Sequence, residues 1–184
     1  MKFVHAPSTS DPLQVRAGKA RTAVLWMLRQ GAGCDLHTSF RVCHFADKRH
    51  LNEHDRPVFG AIYRAMKCGP VPLEIYDMMR GSPLYLAELD ADRYPWALHG
   101  YYLRIRDDDD PDMSVLPKSD MEALEYGYRQ ARSMTFNERT AATHGRDWQA
   151  ARLGTMRYED MIEDRLDKAD KVAFLREAAP YPRL

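Results

Sequence analysis

Three polar side chains that could do chemistry fall on one face of the second helix predicted for this chain. On a helix of about 3.6 residues per turn, Asp47, His50 and His54 share an arc of about 140° with the mostly apolar set Phe40, Cys43, Ala46 and Leu51. Two histidines four residues apart are spaced like metal ligands on a helix, and the carboxylate one turn earlier could serve as a ligand or a base. No third close ligand with a known spacing appears. The sequence therefore favours a structural interpretation, in which Asp47 and His50 are buried and hydrogen-bonded.

The other reactive residue types lack the partners that catalysis or metal binding requires. The cysteines of the chain are Cys34, Cys43 and Cys68. Cys34 and His37 have a spacing typical of metal ligands, but the two further ligands of a structural zinc site are missing. We therefore expect buried free thiols. His144 could act as a catalytic base, yet no nucleophile is implied beside it and Trp148 indicates packing. The sequence predicts no catalytic residue, no metal and no cofactor.

The composition indicates a small reduced module without a dominant charge. The 184 residues suffice for one domain with a proper core. The chain has 27 Lys plus Arg residues and 27 Asp plus Glu residues, so its net charge is zero. This charge balance does not indicate binding to nucleic acid or to an anionic membrane. The odd cysteine count, the absence of a secretory leader and the absence of an apolar run of about 18 residues predict a cytoplasmic protein with no membrane association. The aspartates at 107–110 lack the alternating ligands of a calcium loop and favour a solvated turn.

Hydrophobic periodicity predicts a mainly α chain. The first helix covers residues 13–30, where an apolar stripe runs until two glycines stop it. The second runs from 34 to about 53 and ends near His54, because Pro57 disfavours helical angles at the residue before it.

A stiff loop then leads to a third helix, predicted over 73–80. Gly69 can take positive φ, whereas Pro70 and Pro72 each fix φ and remove a donor. A phosphate cradle would require several glycines, a lysine and a hydroxyl residue at fixed spacing, so a rigid connector is favoured. Residues 60–67 fit a helix or a strand, and we expect a helix followed by an extended stretch.

The pattern changes after the third helix. Residues 98–106 alternate as a strand does, 107–112 form a turn, and 113–116 are expected to return as a partner strand. Helices resume at two predicted capping boxes, Ser119 to Glu122 and Thr135 to Glu138. The fold class is thus a compact, mainly α domain with a small antiparallel β-hairpin (α+β).

The C-terminal part is predicted as two further helices, at 158–163 and 167–178. We divide the chain into a flexible N-terminal arm at 1–12, a domain at 13–150 and a C-terminal helical extension at 151–184. A docking element and a solvated closing helix remain equally open for that extension.

The segment from 45 to 77 has a residue order that chance is unlikely to produce. It comprises Phe45-Ala46-Asp47-Lys48, His50-Leu51, Arg56-Pro57-Val58, Tyr63-Arg64-Ala65-Met66-Lys67, Gly69-Pro70-Val71-Pro72 and Glu74-Ile75-Tyr76-Asp77. In this order the chain resembles the Panacea domain, also called the SocA-like antitoxin or phage-associated protein family. Thr143, His144 and Trp148 extend the resemblance to roughly residues 20–150.

The resemblance implies protein binding without enzymatic chemistry. Family members of known function are antitoxins that neutralise a partner toxin, and one branch delivers its toxin to a protease as an adaptor. We therefore expect a protein toxin encoded by an adjacent gene as the partner, with a protease of the ClpXP type in the adaptor variant. The resemblance implies structural roles for Asp47, Lys48, His50, Met66, Gly69, Pro70, Pro72, Tyr76, His144 and Trp148.

Aromatic residues between the third helix and the hairpin are candidates for the partner surface. Tyr85, Tyr94, Trp96 and Tyr102 combine apolar area with a polar tip, as residues at interface centres do. A mixed core uses the same residue types. Alternation along a strand sends Tyr101 and Tyr102 to opposite faces, so we expect one of the two in the core and the other exposed.

Two other function classes remain as alternatives. Three helices followed by a hairpin can imitate a winged helix, which would make this chain a DNA-binding transcriptional regulator, although the zero net charge argues against nucleic acid. A hydrolase or metalloenzyme that uses Asp47, His50 and His54 has less support. A neighbouring gene that is toxic when expressed alone would decide between these classes.

Overall fold

The computed structural model describes residues 15–31, 33–106 and 109–178. Its α-helices are α1 (Ala17–Arg29), α2 (Leu36–His54), α3 (Leu73–Met79), α4 (Lys118–Ser133), α5 (Phe136–Thr143), α6 (Arg146–Ala151), α7 (Tyr158–Met161) and α8 (Lys168–Ala178). Its strands are β1 (Cys34–Asp35), β2 (Tyr63–Met66), β3 (Gly69–Pro72), β4 (Trp96–His99) and β5 (Tyr102–Ile105). This architecture confirms the predicted class, mainly α with small antiparallel sheets. The predicted arm at 1–12 lies outside the described residues.

Both ends of α2 are fixed by local chemistry. The side chain of Asp35 accepts hydrogen bonds from the backbone N–H of Thr38 at 2.8 Å and from its hydroxyl at 2.6 Å, which caps the N-terminus. The helix starts later than predicted because residues 34 and 35 pair with β5 instead. It ends at His54 as predicted, with Asp55 in the left-handed conformation at φ 59°.

Helix α2 packs along α4 in the centre of the molecule. Gly127 of α4 allows this approach, since a Cβ at that position would collide with the carbonyl oxygen of Val42. Apolar residues of both helices, such as Cys43, Ala46 and Leu124, are fully buried. The polar motif residues of α2 are therefore enclosed by protein and must find their partners there.

Residues 60–67, expected as a helix followed by an extended stretch, contain strand β2 instead. Tyr63 and Ala65 point inward while Arg64 and Met66 point outward, the alternation of a strand with one buried face. Strand β3 pairs antiparallel with β2 and lies at the edge of this two-stranded sheet. Its prolines are tolerated there, because no hydrogen bond between the two strands is lost. The prediction failed because the Gly-Pro loop is one strand of a hairpin.

The second hairpin lies N-terminal to its predicted place. The run predicted as one strand, 98–106, contains the end of β4 and all of β5, joined at Gly100 and Tyr101, whereas 113–115 form a short 3₁₀ turn. Gly100 has φ 62°, the left-handed conformation that a two-residue hairpin turn requires. A glycine inside an alternating run was thus the turn signal. Strand β5 also pairs with β1, which gives a three-stranded sheet in the order β1-β5-β4.

One of the two predicted capping boxes forms. Thr135 and Glu138 exchange side-chain hydrogen bonds with each other's backbone N–H, as expected. The box at Ser119 is wrong, because α4 begins directly after Pro117 and places Ser119 inside the first turn. Its hydroxyl lies 3.1 Å from Nε2 of His50 instead.

The C-terminal helices α7 and α8 form close to their predicted positions and contact α2. The amide of Asn52 donates to the carbonyl oxygen of Met161 at 3.1 Å and accepts from the N–H of Glu163 at 2.8 Å. Leu175 of α8 is buried. The segment is held on the domain by these contacts, while the boundary near residue 150 stays a prediction. None of the helices in the described ranges has the length and apolar composition needed to cross a bilayer.

Candidate functional site

The carboxylate of Asp47 is fully buried in the middle of α2. Its Oδ1 accepts the backbone N–H of Phe59 at 2.7 Å, and its Oδ2 lies 2.9 Å from the hydroxyl of Tyr63 and 3.2 Å from that of Tyr158. Burial raises the pKa of Asp47 to about 6, and the hydrogen bonds offset only part of that effect. Asp47 therefore joins α2 to the approach of β2 and to α7.

His50 is also fully buried, and both of its ring nitrogens are engaged. Nδ1 lies 2.7 Å from the carbonyl oxygen of Arg56 and must donate to it. Nε2 lies 3.0 Å from Oδ1 of Asp120. Asp120 is likewise buried and also receives Lys19 and Arg56. Burial opposes ionisation of Asp120, but the donors from His50, Lys19 and Arg56 outweigh it and hold its pKa well below the usual range. This cluster fastens α1 and α4 to α2.

Of the residues considered for a metal or acid–base site, only His50 and His54 come together, with ring centroids 4.5 Å apart. Asp47 faces tyrosine hydroxyls, His50 faces Asp120, and His54 is exposed at the end of α2. Within the described ranges, no three His, Cys, Asp or Glu side chains are placed to hold a metal ion together. Cys34 and Cys43 are buried free thiols as expected, whereas Cys68 is exposed.

A buried arginine that the sequence analysis did not single out holds the stiff loop. Arg41 of α2 is 1% exposed, and its guanidinium donates to the carbonyl oxygen of Pro70 at 2.7 Å and to that of Cys68. Gly69 lies between them at φ 113°, where a Cβ would collide with the guanidinium. Burial lowers the pKa of Arg41 to about 10. The only signal in the sequence was an arginine among apolar residues, where a charge needs partners.

Lys48 and Asp147 form an ion pair of 3.1 Å between α2 and α6. Asp147 is buried, accepts the backbone N–H of Trp148 at 3.0 Å and lies 3.6 Å from Nε2 of His44. Burial lowers the pKa of His44 to about 3 against the pull of Asp147, so the ring is neutral at pH 7. The pair lines a groove of about 300 Å³ whose other charged residues have both signs.

The remaining motif positions also make contacts inside the fold. The rings of His144 and Trp148 stack with centroids 3.8 Å apart, and the indole N–H of Trp148 donates to the carbonyl oxygen of Met66 at 3.0 Å. Tyr76 packs edge-on against Phe40 at 5.3 Å. Pro72 ends β3 directly before α3. In the part of the chain that the structure describes, Nε2 of His144 is buried without a hydrogen-bond partner, so no serine or cysteine side chain bonds to that nitrogen.

A family model described as antitoxin SocA-like, Panacea domain, matches residues 42–149. The match covers more than half of the chain and includes all of the motif positions described above. This chain belongs to the Panacea domain family. No curated protein and no solved structure matches it.

The residues predicted as the partner surface of this Panacea domain differ in their exposure. Tyr94 and Trp96 are each 3% exposed. Tyr94 donates to the carbonyl oxygen of Ser82, just after α3, at 2.8 Å, and Trp96 donates to that of Met78 in α3 at 3.3 Å. Their side chains are therefore not exposed anchors. Tyr85 is half-buried and Tyr102 is exposed. Tyr101 and Tyr102 are both exposed, because Tyr101 belongs to the hairpin turn rather than to a strand.

The stacked rings of Tyr94 and Trp96 line a groove of about 320 Å³ beside β4. We call this the β4 groove. Arg80, Asp92, Arg93 and Arg106 also line the groove, and we call these charged side chains its rim. The two aromatics thus lie beside a rim of charged side chains.

A second exposed feature of the Panacea domain lies at the tip of the β2–β3 hairpin. Met66 is 47% exposed, and Phe136 of α5, which stacks on His37, is 48% exposed. We call Met66, Cys68 and Phe136 the tip surface. Period-two alternation along β2 was the signal for Met66, and it was missed because the segment was expected to begin as a helix.

Proposed function

We propose that this Panacea domain is a cytoplasmic antitoxin that binds a protein toxin directly, with no enzymatic activity of its own. The observation that carries the proposal is the family match over residues 42–149. A toxin encoded by an adjacent gene is the expected partner.

The contacts of the motif residues support a binding function. Asp47, His50 and Gly69 are engaged in the interior with tyrosine hydroxyls, Asp120 and Arg41 respectively. Such residues specify the scaffold, and a scaffold leaves its exposed surface free to fit a partner. A rigid surface also loses little conformational entropy on binding, which favours affinity.

Delivery of the toxin to a protease is a variant of the same proposal. An adaptor must bind the toxin too, so the two modes share the first step and differ in the fate of the toxin. A chase of the toxin after synthesis is stopped separates them. A stable, co-purifying toxin supports direct neutralisation, whereas a toxin that disappears only when this chain and the protease are present supports the adaptor mode.

One observation favours a second candidate, a DNA-binding regulator. Helices α1, α2 and α3, strand β1 and the β4–β5 hairpin follow the order of a winged helix, with β5 beside β1. However, α3 would be the recognition helix, and it carries Glu74 and Asp77 while Ile75 and Met78 are buried. Carboxylates beside phosphates weaken binding. A gel shift with the promoter DNA of the chain's own operon tests this candidate.

Co-expression tests the main proposal. The adjacent gene should stop growth when expressed alone, and growth should recover when this chain is expressed with it. The tagged chain should retain the toxin through gel filtration. A harmless neighbour, or toxicity that persists while this chain accumulates in folded form, contradicts the proposal.

A further inference from the structure

Strand β4 is an edge of the three-stranded sheet in the described part of the chain. The N–H of Arg106 donates to the carbonyl oxygen of Pro95 at 2.8 Å, which sets the phase of the β4–β5 ladder. Hydrogen-bonded pairs alternate along an antiparallel ladder, so Ala97 bonds to β5 while the N–H and C=O of Leu98 point away from it. No backbone group of another described segment bonds to Leu98. This edge can accept another strand.

The β4 groove extends along this open edge, and its charged side chains determine which charge on an added strand is favoured. Its lining includes Ala97, Leu98 and Trp96, so residues from both faces of β4 border the groove. Arg80 and Arg106 are exposed on the rim. Arg80 and Arg106 stand against one carboxylate, that of Asp92, so these side chains favour an acidic segment although the whole chain carries no net charge.

We infer that an extended, acidic segment of the toxin pairs with β4 as an added strand. The inference rests on the proposed function, because the segment is assigned to the toxin. Main-chain hydrogen bonds to Leu98 would supply affinity, and carboxylates of the segment would reach Arg80 and Arg106. A second copy of this chain does not fit the edge, since edge-to-edge pairing would place arginine rims against each other.

A direct binding test uses the full chain and a fluorescein-labelled peptide of alternating glutamate and valine. Matched probes are the same peptide with lysine in place of glutamate, and the acidic peptide N-methylated at every residue, which cannot form the ladder through either of its edges. We expect the acidic peptide to bind and both matched probes to bind at least about tenfold more weakly. Equal binding of the N-methylated and unmodified peptides, or no binding of the acidic peptide, overturns the inference.

Variants of the chain locate the binding. The double variant Arg80→Glu with Arg106→Glu should weaken the acidic peptide at least about tenfold, whereas Arg129→Glu, a charge reversal at an exposed position of α4, should not. Leu98→Pro removes the outward N–H at an edge position where proline is tolerated, and Leu98→Val is its control. Circular dichroism and melting confirm that each variant is folded. Equal binding by folded Arg80→Glu/Arg106→Glu and wild-type chains overturns the inference even where Leu98→Pro does not fold.

Growth rescue by the same variants separates this inference from the proposed function. If the wild-type chain does not neutralise the adjacent gene product, the function fails, whatever the peptide does. If the wild-type chain neutralises it and the folded Arg80→Glu/Arg106→Glu chain does so equally well, the assignment of the β4 edge to the toxin fails while the function stands. If the wild-type chain rescues growth and the folded Arg80→Glu/Arg106→Glu chain does not, both the proposed function and the assignment of the β4 edge are supported.

Discussion

The hydroxyl of Tyr158 on α7 lies 3.2 Å from Oδ2 of Asp47 on α2. Asp47 belongs to the family motif, whereas Tyr158 lies beyond residue 149, where the family match ends. The C-terminal segment therefore completes the surroundings of a motif residue. The same hydroxyl lies 2.9 Å from the carbonyl oxygen of Ala61, so α7 also fastens the approach to β2.

Replacement of Asp47 by alanine should destabilise the fold without removing the capacity to neutralise. The change leaves the N–H of Phe59 and the hydroxyl of Tyr63 without their buried acceptor. We expect the free energy of unfolding to fall by on the order of 1–3 kcal/mol, measured by denaturant titration. Asp170→Ala, at an exposed carboxylate of α8, should change it little.

Neutralisation by the Asp47→Ala chain should decline only as far as the folded fraction does. Toxin binding and thermal unfolding are measured on the same preparation. An unchanged melting temperature together with lost toxin binding would show that Asp47 contacts the partner rather than the fold.

The Gly69→Ala change tests the hydrogen-bonded contact between Arg41 and the stiff loop, which we call the clamp. A Cβ at Gly69 would collide with the guanidinium of Arg41 in a backbone conformation, φ 113°, that side chains rarely adopt. We expect a loss of more than about 2 kcal/mol in the free energy of unfolding. Gly81→Ala is the closer control: its φ is also positive at 83°, but nothing lies within 4 Å of the added atom. Equal losses for the two variants would show that backbone strain, and not the clamp, determines the effect.

Local signals predicted the helices other than α6, and the end of α2, because the information lies within a few residues. Pro57 terminates α2 near His54, and the Thr135 capping box opens α5, as a reader of the sequence expects. The β4–β5 hairpin was misplaced although Gly100 marks its turn, since a single glycine in an alternating run also fits an uninterrupted strand.

Partners distant in sequence could not be predicted from spacing. His50 was expected to be buried and satisfied, but nothing near it in the sequence identifies Asp120, which is brought to it by the packing of α4 on α2. The burial of Tyr94 and Trp96 could not be predicted for the same reason. Aromatic residues suit both cores and interfaces, and only the position of α3 decides that these two are covered.

Acidification should destabilise the fold through His44. Its folded pKa of about 3 is below the ordinary value of 6.5, so the unfolded chain binds a proton in this window that the folded chain excludes. The free energy of unfolding should therefore fall as pH decreases from 6.5 towards 3, by at most about 1.4 kcal/mol per pH unit from this group. The raised pKa of Asp47 acts in the opposite direction between its ordinary value of 3.8 and about 6.

The difference between the wild-type chain and His44→Gln isolates this contribution. The variant should lose less stability between pH 7 and pH 4.5 than the wild-type chain does, in denaturant titrations at both pH values (roughly 2 kcal/mol less). His99→Gln, at an exposed position, should follow the wild-type dependence. Parallel curves for His44→Gln and the wild-type chain would contradict the assigned role of His44.

Purified protein should carry no stoichiometric transition metal. Both ring nitrogens of His50 are engaged with the carbonyl oxygen of Arg56 and with Asp120, which leaves His54 without a second ligand on its helix face. Elemental analysis of protein prepared with added zinc checks this expectation. About one zinc per chain, lost in a His50→Ala/His54→Ala variant, would contradict it.

A charge at the tip surface should leave neutralisation intact, because we assign the toxin contact to the β4 edge. Met66→Glu places a carboxylate on a side chain that is 47% exposed and points out from β2, so the fold should tolerate it. Growth rescue and co-purification with the toxin are then compared with those of the Arg80→Glu/Arg106→Glu chain. We expect full rescue by Met66→Glu and at least about a tenfold weaker toxin complex for the rim variant. The reverse result, with Met66→Glu inactive and the rim variant active, would move the toxin contact to the tip surface.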